Sequence, residues 1–147
     1  MKTIIFFIFL FVDFCFGQKL IQANILWRHG DRAPLTSYST DLVAEKEWGV
    51  HFGELTPLGL EQSFTKGLII RQRYVRDLKL ISPIYDSKQI FVRSTNVDRT
   101  LLSASAVLDG IYYDGEVEVP INSVHPLPAK TVNVPVHTVD YDTDYLL

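Results

Sequence analysis

Arg28-His29-Gly30-Asp31-Arg32-Ala33-Pro34 is the stretch on which the reading of this chain turns. Two permanently charged guanidinium groups flank one imidazole, and a glycine beside the histidine lets the backbone come close to whatever that ring faces. Such a cluster suits a phosphate. Each arginine presents a planar fork of donors matched to phosphate oxygens, and a neutral imidazole nitrogen between them is able to attack phosphorus. A histidine between arginines is also what an ordinary solvated loop contains, so the residues on either side must decide.

On the amino-terminal side, Leu20 to Trp27 is rich in apolar residues, with Ile21, Ile25, Leu26 and Trp27, and it carries no proline or glycine. This predicts a buried strand. The motif then lies at the carboxyl end of that strand, where open α/β sheets place their ligands. On the other side, Thr36 to Gly53 has no clean period and is expected to be a loop, with His51 exposed and without a role.

Thr56-Pro57 reads as an N-cap followed by proline in the first helical turn, and Leu60, Phe64, Leu68 and Val75 recur at helical spacing. Arg71, Arg73, Arg76 and Lys79 near the far end are expected to complement the helix dipole and stay wet. After a loop over Ser82 to Lys88, Gln89 to Arg93 predicts a short strand. A second helix follows, with Thr95 and Asp98 as a capping box, Val97, Leu101, Ala104 and Leu108 as its apolar stripe, and Gly110 as its stop. Arg93 therefore stands where a strand gives way to a helix start, with free backbone N–H groups beside it. Gly110 to Leu147 holds four of the seven prolines and reads as loops with an edge strand, ending in the acidic run Asp140 to Asp144.

The apolar fraction of 47% over 147 residues suffices for one core. Met1 to Gly17 reads as a signal peptide, with Lys2, the apolar run Ile4 to Val12, and Cys15 and Gly17 before the cut. That run is about half of the roughly 20 residues that span a bilayer, so no membrane anchor is expected. Cleavage removes one charge of each sign and leaves the net charge at −3. It also removes Cys15, the only cysteine. An acidic balance without a basic tract argues against nucleic-acid binding. No Gly-x-x-x-x-Gly-Lys loop, His-Glu-x-x-His helix or Gly-x-Ser-x-Gly turn occurs.

The motif resembles the signature of the histidine acid phosphatases, the secreted and lysosomal branch of the histidine phosphatase superfamily. Gly53-Glu54-Leu55-Thr56-Pro57-Leu58-Gly59 is similar to that family's Gly-x-Leu-Thr-x-x-Gly segment, and Val92 to Thr100 resembles its second phosphate-binding stretch. Pro135-Val136-His137-Thr138-Val139 also looks like a family segment. The resemblance implies an α/β fold, the amino-terminal part of a phosphoglycerate-mutase-like sheet with flanking helices. It implies that His29 is the nucleophile, forming a transient phosphohistidine, while Arg28, Arg32 and Arg93 hold the phosphoryl oxygens of a phosphate monoester. No metal or cofactor is implied. Asp98 and Asp31 are expected to be structural.

The family also uses a late His-Asp pair, whose aspartate protonates the leaving alcohol. Here His29, His51, His125 and His137 are followed by Gly, Phe, Pro and Thr. The expected organisation is thus a signal peptide over 1–17 and, over 18–147, the amino-terminal part of a phosphatase domain whose carboxyl-terminal part is missing. General acid help is worth about 10²- to 10⁴-fold, so a chain without that pair is expected to be slow. Two other readings stay open: a non-catalytic product that at most binds phosphate, and a phytase-like inositol phosphate phosphatase. The sequence does not decide oligomeric state.

Overall fold

The computed structural model describes residues 18–113 and 132–146. The Met1 to Gly17 leader, the Val117 to Val119 run and His125 lie outside the described residues. In order come a short 3-10 turn at Glu45–Trp48, helix α1 at Pro57–Ile70, a π-helical turn at Arg71–Asp77 and strand β1 at Val92–Arg93. Helix α2 at Asp98–Ile111, strand β2 at Val136–His137 and a 3-10 turn at Tyr141–Thr143 complete the sequence of elements. β1 and β2 pair in parallel, Val92 opposite Val136 and Arg93 opposite His137. This is a partial α/β arrangement: two packed helices against the beginning of a parallel sheet. Among the described residues no helix is long and apolar enough to cross a membrane.

α1 begins as the sequence predicts. The Thr56 hydroxyl accepts from the Gly59 N–H at 3.1 Å, and Pro57 sits in the first turn, where its missing N–H costs nothing. Of the predicted stripe only Val75, in the π-helical continuation, is buried. Gly59, Ser63, Gly67 and Ile70 are buried, whereas Leu60 is exposed and Phe64 and Leu68 are half-buried. The reason is close approach of backbones. A methyl group on Gly67 would lie 2.8 Å from Gly110 Cα, and one on Gly110 would lie 2.9 Å from Gly67 Cα. Small residues let α1 and α2 meet, and the larger apolar side chains are displaced to the flanks.

The helix runs on through Arg71–Asp77 with the wider π spacing. Arg71 is not wet as expected. It is buried, and its Nη1 donates to the Ile111 carbonyl at 2.7 Å, satisfying one of the orphan acceptors at the carboxyl end of α2. The capping box expected at Thr95 and Asp98 does not form either. Val97 is the cap residue and provides no side-chain bond, while Thr100 Oγ1 bonds the Thr95 and Val97 carbonyls at 2.9 and 2.7 Å. That hydroxyl donates to carbonyls, so it tethers the first turn of α2 to the preceding loop without acting as an acceptor for the N–H groups at the helix start.

The predicted strand at Leu20 to Trp27 is not formed: no ladder pairs these residues among those described, and Leu26 is 99% exposed. An apolar run becomes a buried strand only when a neighbour supplies hydrogen bonds and a layer covers its face. Here Trp27 packs against the core cluster, and Leu26 and Ile21 point outward.

That core gathers Ile70, Val75, Val92, Val107, Leu108, Ile111 and Tyr112. The Tyr112 ring meets Tyr85 edge-on at 5.9 Å. Burial, then the neighbouring Tyr85 and Asp86, push its phenol up to about 12. A raised value means that the fold favours the neutral phenol. This contribution is complete below the unfolded value of about 10 and is lost as pH climbs through about 12. Denaturant melts between those limits should therefore show stability falling with pH, and falling less steeply in Tyr112→Phe.

Candidate active site

The motif is pinned on both sides before any function is considered. Asp31 ties it to the start of α1: its Oδ2 accepts from Thr56 Oγ1 at 2.7 Å, its carbonyl from the Thr56 N–H at 3.0 Å, and its N–H donates to Gln62 Oε1 at 2.9 Å. An isolated antiparallel bridge joins Arg32 to Leu55. Gly30 ties the motif to α2. Its N–H donates to Ser103 Oγ at 3.1 Å, and the same hydroxyl donates to the Arg99 carbonyl at 2.8 Å. There is no room for a side chain at Gly30, since a Cβ would stand 2.6 Å from Gly59 Cα.

Ser103 is fully buried, so removing its hydroxyl leaves the buried Gly30 N–H without its acceptor. Ser103→Ala is expected to cost about 1–3 kcal/mol, read as a lowered denaturation midpoint. An unchanged midpoint would mean that water replaces the hydroxyl.

These ties set His29 in a fixed frame. Its Nδ1 lies 2.7 Å from the carbonyl oxygen of Gly30. A carbonyl only accepts, so Nδ1 carries the proton of this bond, and in the neutral ring the lone pair then belongs to Nε2. The ring is half-buried and lines a cavity of about 730 Å³ together with Arg28, Arg93, Ser94, Thr95 and Ser103. The structure therefore brings three of the four expected site residues, Arg28, His29 and Arg93, to one cavity. Arg32 is not among the lining residues; its Nη1 donates to the Ala33 carbonyl at 2.7 Å.

One lining residue had no signal in the sequence. Asp144, in the acidic run near the end of the chain, is buried in this cavity and pairs with Arg93, Nη2 to Oδ1 at 2.5 Å. A smaller cavity of about 380 Å³ lies between Ile21, Ile25 and Trp27 and the Ile70, Tyr74 and Ile81 side chains. Gln22, Lys88 and Gln89 line it as well, but no motif histidine or arginine does. The larger one is the cavity that holds the motif histidine with Arg28 and Arg93.

The fold and this cavity place the chain in a class, and comparison with known proteins gives the same answer: residues 19–146 match the model of the histidine phosphatase superfamily, branch 2, to which the chain belongs. Human prostatic acid phosphatase is 38% identical over 133 residues, covering 89% of this chain and 32% of that protein. Rat lysosomal acid phosphatase is 38% identical over 131 residues, covering 89% and 29%. A crystal structure of the phytase of Klebsiella sp. ASR1 superposes with a TM-score of 0.52 at 24% identity, over 79% of this chain and 26% of that one, a likeness of fold alone. The chain spans about a third of the length of the curated relatives it matches.

Proposed function

We propose that this chain carries the phosphoryl-accepting half of an acid phosphatase-type phosphomonoester hydrolase. His29 Nε2 attacks phosphorus as the ester P–O bond breaks, giving a phosphohistidine and an alkoxide that must take up a proton. Water then displaces the imidazole from phosphorus and releases inorganic phosphate. Arg28 and Arg93, which line the cavity, neutralise the phosphoryl oxygens through both steps, and Arg32, outside the lining, is assigned to the same clamp by the family resemblance alone. Phosphoryl transfer depends on positioning and charge stabilisation more than on covalent help, so a clamp of guanidinium forks around one fixed nitrogen supplies most of what the first step needs.

The observation that carries this reading is that His29, its Nδ1 tied to the Gly30 carbonyl, lines one cavity together with Arg28 and Arg93. No His-Asp dipeptide occurs in the chain, and none of the residues assigned here protonates the leaving oxygen. The leader-like Met1 to Gly17, with relatives named lysosomal acid phosphatase, supports a place in the secretory pathway.

The test is to mix the chain with a ³²P-labelled aryl phosphate at mildly acidic pH, quench in alkali, and look for protein-bound label, since phosphohistidine survives base and not acid. Absence of label across the acidic range would remove the catalytic reading. Tight binding of inorganic phosphate without label would identify a non-catalytic phosphate binder instead.

A further inference from the structure

Asp144 sits oddly for a phosphate site, because a carboxylate in such a cavity repels the substrate. Its side chain is only 3% exposed, so burying its charge is costly and must be compensated. Two groups do so. Arg93 Nη2 is 2.5 Å from Oδ1, and the Leu146 N–H donates to the same oxygen at 3.1 Å. Arg93 is held in turn by its backbone, in register with His137 in the parallel ladder, and Ser94 N–H donates to the His137 carbonyl at 2.8 Å. The segment that delivers Asp144 is the continuation of that same strand, seven residues on.

From this we infer that Asp144 is a positioning residue for Arg93. The proposal rests on the reading of the cavity as a phosphate site. The pair engages Nη2 and restricts the side chain, leaving the remaining guanidinium N–H groups for a phosphoryl oxygen. A long side chain that is ordered before the ligand arrives loses less freedom on binding. Asp144 thus offsets its own repulsion by pre-organising the cation. The opposite assignment, a carboxylate that occupies the phosphate's place and is expelled by it, suits the geometry less well. Asp144 is anchored a second time at the Leu146 N–H and is buried, whereas a displaceable carboxylate would need to swing out.

The two assignments predict opposite signs. Binding of inorganic phosphate to the whole chain should be measured by calorimetry for the wild type, Asp144→Asn, Arg93→Ala and the double variant. Positioning predicts that Asp144→Asn binds phosphate about tenfold more weakly, and that the same change has no effect once Arg93 is alanine. That dependence on Arg93 is what a merely structural role would not produce. Tighter or unchanged binding by Asp144→Asn, or an equal loss in both backgrounds, overturns the proposal. If Asp144→Asn fails to fold, Asp144→Glu takes its place: a longer carboxylate keeps the charge and misplaces the fork, and wild-type affinity there also overturns it. A wild-type chain that takes no phosphate removes the site reading, and the proposal with it; a wild type that binds while Asp144→Asn binds as well removes the proposal alone.

Discussion

His29→Ala is expected to carry no alkali-stable phosphoryl label under conditions that label the wild-type chain, a loss of at least about a thousandfold. The size follows from the role proposed for the side chain. Arginines stabilise charge on a transferring phosphoryl group, but none of them presents a lone pair at working pH, so without the imidazole there is no acceptor atom for phosphorus. The loss should be clean. His29 is half-buried, and its recorded side-chain bond is to the carbonyl of the adjacent Gly30, so truncation strands no distant partner and melting should change little. His51 provides the control: exposed beside Glu45 in a loop remote from the motif in sequence, it should be replaceable without loss of label. Label that persists in His29→Ala would move the nucleophile elsewhere.

What the sequence made legible follows the range of the interaction involved. The α1 start was readable because its cap is local: Thr56 and Gly59 are three residues apart, and the bond between them needs no other part of the chain. Arg93 at a strand end before a helix was readable for the same reason. The stripe on α1 was misjudged because hydrophobic size predicts burial only where the partner leaves room, and the closeness of Gly67 to Gly110 is a property of two helices at once. Arg71 read as one of several wet cations; only the position of the Ile111 carbonyl, 40 residues away, makes it a buried donor. Asp144 was illegible in the same way. Nothing in an acidic run tells which carboxylate a parallel strand pairing will carry back to Arg93.

The second large effect is expected at the helix contact, in Gly67→Ala. A Cβ there would stand 2.8 Å from Gly110 Cα and 3.0 Å from the carbonyl carbon of Val107, and closer still to the Val107 carbonyl oxygen. All three are backbone atoms, so no side chain can rotate away, and the helices themselves must part. Overpacking of this kind costs about 1–3 kcal/mol, and a backbone-on-backbone clash belongs at the top of that range. For a domain of this size about 3 kcal/mol corresponds to a fall of roughly 10–20 °C in Tm. The consequence reaches the cavity, because α1 holds Asp31 through Thr56 while α2 holds Gly30 through Ser103. Moving one helix off the other pulls His29 between its two anchors, so phosphate affinity should fall along with Tm. Gly49→Ala separates packing from conformation. Its Cβ would meet nothing within 4 Å, but its φ of 69° is left-handed, so it should cost only about 1–2 kcal/mol and leave phosphate affinity alone. A Gly67→Ala chain that melts with the wild type would show that α1 and α2 meet at a greater distance, and the same measurement would then release His29 from the frame that fixes it.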